Sequence, residues 1–125
     1  MLYATDSGKV ITAIPHKAKY TFWKQKITLE DYERVKEALN AIIDDTIKTG
    51  KEIMTSSWIP GSDWGNTVYE PIYIACEKDK LSASLFFGLI LWEVFMNRKE
   101  YWAFGRYKRN STEIIGMTYF RIEEP

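Results

Sequence analysis

Hydrophobic residues along the chain switch between two periods, and each switch marks an element. From Tyr32, apolar side chains recur at Val35, Leu39, Ile42, Ile43 and Ile47, the three-and-four spacing of an amphipathic helix. Thr28 precedes them as a cap, and Asp31, three residues on, makes a variant of the capping box. Glu30, Asp31 and Glu33 crowd the start and Lys48 lies near the end, as the helix dipole favours; Gly50 is a natural stop. A second long helix is predicted from the cap Asp79 through Lys80 to Arg98. Its apolar residues, from Leu81 to Met96, surround it on nearly every side, so the core or another subunit has to cover it. Between these helices, Tyr69 to Cys76 reads as a short helix with Pro71 in its first turn.

Other segments carry strand signals. Lys9 to Ile14 is rich in β-branched residues and follows the turn former Asp6-Ser7-Gly8, which predicts a hairpin. After a break at Pro15, Lys19 to Trp23 is a further strand candidate, and Glu52 to Trp58 is another. Tyr101 to Lys108 alternates, with Trp102, Phe104 and Arg106 on one face and Tyr101, Ala103 and Tyr107 on the other. Asn110-Ser111 supplies a turn, and Ile114 to Ile122 returns as the partner strand. Strands at both ends with two long helices between them predict an α+β fold. The expected arrangement is a single domain over residues 1–125, a mostly antiparallel sheet with both helices on one face.

Composition narrows the function classes. A chain of 125 residues makes one domain, and 46% hydrophobic with 15% aromatic residues leaves rings beyond what a small core needs. Seventeen basic residues balance seventeen acidic ones, which argues against a coat for nucleic acid or for an anionic membrane. One cysteine, Cys76, permits no internal disulfide and suits a reducing cytoplasm. The first residues lack a signal-peptide pattern, and Leu85 to Met96, interrupted by Glu93, falls short of the ~20 residues of a bilayer crossing. A soluble cytoplasmic protein with no membrane partner is expected.

Catalytic signatures are missing. His16 is the single histidine and sits after Pro15 among lysines, which reads as a solvated turn rather than a member of a triad. Cys76 reads as a packing residue, and no spacing suits a metal site, so no cofactor is expected. Ser7-Gly8-Lys9 lacks the other residues of a phosphate-binding loop. Asp44 and Asp45 point about 100° apart on a helix, and Asp44 is placed to pair with Lys48.

Two regions exceed what packing explains. Residues 56–70 carry Trp58, Asp63, Trp64 and Glu70 on or beside a connection rich in turn formers; the rings either fold back onto the core or line a pocket. Arg106 and Arg121 lie mid-strand in the C-terminal hairpin, where a guanidinium pairs with a buried acid or meets an anion. These six residues form one candidate ligand site. The second candidate is a basic–aromatic patch of Lys17, Lys19, Tyr20, Phe22, Trp23 and Lys24, read either as an edge strand defended by lysines or as a stacking surface for single-stranded nucleic acid.

The expectation is a non-enzymatic accessory protein that acts stoichiometrically on a partner protein, in the manner of small inhibitors from mobile elements, and that self-associates as a homo-oligomer. The alternative is a binding module for a nucleotide-like or other anionic small ligand, or for single-stranded nucleic acid. An enzyme is the third choice and would need Asp63, Tyr69, Glu70 or Arg106.

Overall fold

The computed structural model describes residues 1–5, 7–51, 53–55, 64–105, 108–109, 112–113 and 117–124. Among these residues four helices and six short strands follow in the order β1 (Leu2–Tyr3), α1 (Lys17–Lys24), α2 (Leu29–Lys48), β2 (Ile53–Thr55), α3 (Glu70–Ala75), α4 (Lys80–Met96), β3 (Trp102–Gly105), β4 (Lys108–Arg109), β5 (Thr112–Glu113) and β6 (Thr118–Arg121).

Local chemistry sets the helix ends. Thr28 accepts the Asp31 N–H at 3.1 Å and starts α2, while the Asp31 carboxylate turns to Arg34 at 3.2 Å. At the other end Gly50 adopts a left-handed φ of 78°. Lys51 N–H then reaches the Thr46 carbonyl at 3.1 Å and Gly50 N–H the Ile47 carbonyl at 3.1 Å, a Schellman closure. Asp79 opens α4 by accepting Ser82 N–H and hydroxyl at 3.3 and 2.6 Å, and these bonds hold its carboxyl below the ordinary value. The corner between α3 and α4 repeats the Schellman pattern without glycine. Lys78 N–H bonds the Tyr73 carbonyl at 2.8 Å, and Glu77 and Lys78 carry φ of 56° and 60°.

The strands build a mixed sheet in the order β1-β3-β6-β2. β6 pairs antiparallel with β3 and with β2, and β1 joins β3 in parallel. β4 and β5 pair as a separate two-stranded ribbon. The register sets Trp102 opposite Arg121 and Phe104 opposite Tyr119, so these four side chains share a face. α4 lies on that face. Phe95 stacks on Tyr119 with centroids 4.1 Å apart, meets Trp102 edge-on at 4.8 Å, and Trp92 approaches Phe104 at 4.5 Å.

The α+β class and both long helices agree with the sequence pattern, and two N-terminal expectations need correction. Lys19 to Trp23 is helical, within α1. Tyr20 and Trp23 stand three residues apart and dock together on Phe86, and that helical spacing overrides the β-propensity of Tyr20, Thr21, Phe22 and Trp23. From the stretch Lys9 to Ile14, Val10 alone makes a bridge, to Tyr3, after a tight turn through Gly8 at φ 67°. The N-terminal strand of the sheet is instead Leu2–Tyr3, parallel to its neighbour. Most of α4 is covered within the chain: Ala83, Phe86, Phe87, Leu89 to Trp92, Val94 and Phe95 are all buried. Among the described residues no helix is long and apolar enough to cross a membrane.

Two stability tests follow. Phe95→Ala should cost about 3–5 kcal/mol in denaturant unfolding, because Trp102 and Tyr119 lose a shared partner. Lys78→Gly should stabilise by up to about 1 kcal/mol, since glycine relieves the left-handed backbone; a loss of stability would show that the Lys78 side chain matters more than its φ.

Candidate binding site

α1 hangs on the body of the protein by one face. His16, itself exposed with φ 52°, sits at its N-cap without a side-chain cap bond. Tyr20 is buried and Trp23 half-buried against Phe86, with ring centroids 6.0 and 5.7 Å away. Every other residue from Lys17 to Lys26 is exposed.

Tyr20 also makes the polar part of the attachment. Its hydroxyl and that of Tyr32 on α2 both donate to Glu93 Oε2 on α4 and touch each other, tying three helices at one carboxylate oxygen. Burial raises both phenols above the ordinary value, and the bonds to Glu93 raise them further, because each anion would face a carboxylate. Lys24 Nζ lies 4.7 Å from the Tyr32 ring centroid and 5.6 Å from that of Tyr20, and Lys36 Nζ lies 4.9 Å from the Tyr32 ring. Two cations thus stand over the rings whose hydroxyls bind the half-buried Glu93.

Open grooves flank α1. One, of about 560 Å³, runs between α1, the end of α4 and residues 12–14, and is lined by Lys17, Tyr20, Lys24 and Glu93 among others. Trp92 Nε1–H holds its far wall through the Ala13 carbonyl at 3.2 Å. Glu93 is its one carboxylate among the described residues. The other groove, of about 550 Å³, lies between α1 and the first turns of α4. Ala18, Lys19, Phe22, Trp23, Leu81, Ser82 and Leu85 line it, and Phe22 and Leu81 are 54% and 83% exposed.

Helical geometry divides the basic–aromatic patch of the sequence between two grooves. Lys17, Tyr20 and Lys24 fall on the first groove, and Lys19, Phe22 and Trp23 on the second. The other candidate set is placed differently. Trp58, Asp63 and Arg106 lie outside the described residues. Trp64 is buried, stacked on Tyr73 at 6.2 Å and edge-on to Phe87 at 6.0 Å. Glu70, in the first turn of α3, accepts the Asn66 N–H at 2.6 Å and steadies the turn before the helix. Arg121 lies over the Trp102 ring at 5.5 Å, its buried Nε without a hydrogen-bond partner among the described residues. It borders a hollow of about 400 Å³ with Ile47, Gly50 and Lys51. Trp64, Glu70 and Arg121 share no described partner.

Sequence reasoning missed two clusters. Glu93 reads as an interruption in an apolar run, and nothing in the spacing couples it to Tyr20 and Tyr32. Likewise Arg98, read from the sequence as the end of a helix, is an anchor. It forks onto Glu100 at 2.6 and 3.1 Å and binds Asn40 Oδ1 at 2.9 Å and Asp44 at 2.5 Å. Asp44 thus pairs across the fold instead of with Lys48. Burial alone would raise the Glu100 carboxyl, but bonds from Arg98 and Trp102 outweigh it and hold it below the ordinary value. Cys76 is buried, and burial helped by the Asp79 charge pushes its thiol up to about 11. Tyr69 packs edge-on to Phe87 at 5.4 Å. Among the described residues no group of His, Cys, Asp and Glu could hold a metal ion.

Comparison with protein-family models, curated proteins and solved structures found no match to this chain.

The cluster at Glu93 makes a test. A phenol whose folded pKa lies above the unfolded value of 10 keeps its proton where the unfolded chain loses it. Unfolding free energy should therefore fall as pH rises past 10. Tyr20→Phe should cost about 1–3 kcal/mol at neutral pH, by removing a donor to a carboxylate, and should make the alkaline fall shallower. Urea unfolding across that range measures both; an unchanged alkaline slope would exclude Tyr20 as its source.

Proposed function

We propose that this chain is a non-enzymatic binding protein that acts stoichiometrically on a partner protein, through α1 and the start of α4. One observation carries this reading: Phe22 and Leu81, two large apolar side chains, stand exposed on the same open groove. Single exposed apolar residues are ordinary, whereas a shared recess lined by Ala18, Trp23 and Leu85 as well is the form of a binding patch. The residues nearest to reactive chemistry serve packing instead. Cys76 is a buried thiol with a raised pKa, and Tyr20, Tyr32 and Glu93 are engaged with each other.

The apolar surface of α4 gives self-association less support than its sequence suggests, because most of it is covered within the chain. A homo-oligomer formed through this surface would use the groove itself. The reading as a nucleotide-like site has less support still, since Trp64, its one described ring, is packed in the core. A buried free thiol suits a reducing compartment, and we place the protein in the cytoplasm on that basis.

Affinity capture from the native cell tests the proposal. Wild type should retain a protein in near-equimolar amount, and the double variant Phe22→Asp, Leu81→Asp should lose it while keeping the wild-type circular dichroism and melting curve. Recovery of the same proteins by both would overturn this surface as the binding site.

A further inference from the structure

We infer that the groove between α1 and the first turns of α4 takes an acidic amphipathic helix from the partner, which rests on the reading of this surface as protein-binding. The charge on α1 decides the sign. Lys17, Lys19, Lys24 and Lys26 fall within ten residues that contain no acid. Lys26 is paired, with Glu77 at 3.4 Å, and none of the other three has an ion-pair partner among the described residues. Lys19 stands on the groove wall, which holds no carboxylate among the described residues, and Lys17 and Lys24 lie on the opposite flank of the same helix.

The apolar lining decides the class of partner. Leu81 and Leu85 neither stack with bases nor neutralise phosphate, so a nucleic acid would leave the most exposed part of the groove unused. A helix that lays an apolar stripe between Phe22 and Leu81 uses all of it and sets glutamates or aspartates over the lysines. The length also fits: eight residues of α1 span about 12 Å, two turns of a partner helix with anchors at i, i+3 or i+4, and i+7.

The probe is a synthetic helix with leucines at those anchor positions and glutamates on both flanks, its isomer with lysines replacing the glutamates, and a single-stranded oligonucleotide. Each is titrated by fluorescence anisotropy against the full chain. The glutamate peptide should bind, more weakly as salt rises. The lysine isomer should bind at least about tenfold more weakly, as expected for like charges brought together. Leu81→Asp should weaken the glutamate peptide by about tenfold or more, since it places a carboxylate in the recess and against the peptide's own acids. Lys19→Glu should weaken the glutamate peptide and strengthen the lysine isomer, a crossing that a structural role for Lys19 would not produce. Both substituted side chains are exposed, so the fold should be unaffected. Equal binding of the two peptides, or indifference to Leu81→Asp, would overturn the inference. So would oligonucleotide binding that ignores Leu81→Asp, or light scattering that shows a dimer lost in that variant. Loss of the inference with capture still sensitive to Phe22 and Leu81 would leave the protein-binding reading standing with a partner of other chemistry.

Discussion

The fold depends on covering one helix. α4 is apolar around almost its whole circumference, and water on any side of it would be costly. Each neighbouring element supplies part of the cover. β3 and β6 present Trp102, Phe104 and Tyr119 to Phe95 and Trp92; Trp64 and Tyr69 close on Phe87; Tyr20 and Trp23 close on Phe86. The aromatic surplus visible in the composition is largely this cover. Rings suit the task because each shields a large area and fixes its neighbours edge-on or stacked.

Apolar cover alone does not fix which element sits where, and two polar nodes add that information. At one end of α4, Glu93 collects the hydroxyls of Tyr20 and Tyr32 and so orders α1 and α2 around it. Just beyond the same end, Arg98 gathers Asn40, Asp44 and Glu100, and Glu100 holds the Trp102 indole. Each node satisfies a half-buried charge and in doing so specifies a unique neighbour, which oily packing cannot do. Both lie where helices meet strands or other helices of distant sequence.

That division explains what could be read from the residues in order. α2 and α4 were legible because their signals are local: Thr28 and Asp79 as caps, the spacing from Tyr32 to Ile47, and Gly50 at the stop. The strand face carrying Trp102 and Phe104 was legible by alternation. α1 was not. Lys19 to Trp23 has the composition of a strand, and only the docking of Tyr20 and Trp23 on Phe86, more than sixty positions away, makes helical spacing the better choice. The candidate patch was thus found as a set of residues and misjudged as a shape. Glu93 and Arg98 stayed hidden for the same reason, since their partners are distant in sequence. Position Leu81 drew notice as part of an apolar run, but its exposure depends on how far α1 reaches along α4.

α1 has one more property, and it concerns how freely the chain can change. The helix is held through Tyr20 and Trp23, while its remaining side chains face outward. Substitution at those outward positions alters charge and shape at the groove without opening a cavity or stranding a buried polar group. On the proposed reading, recognition and folding draw on separate letters of the same short helix. A protein that bound through α1 could then follow a changing partner by exchanging surface residues there, with the core left as it is.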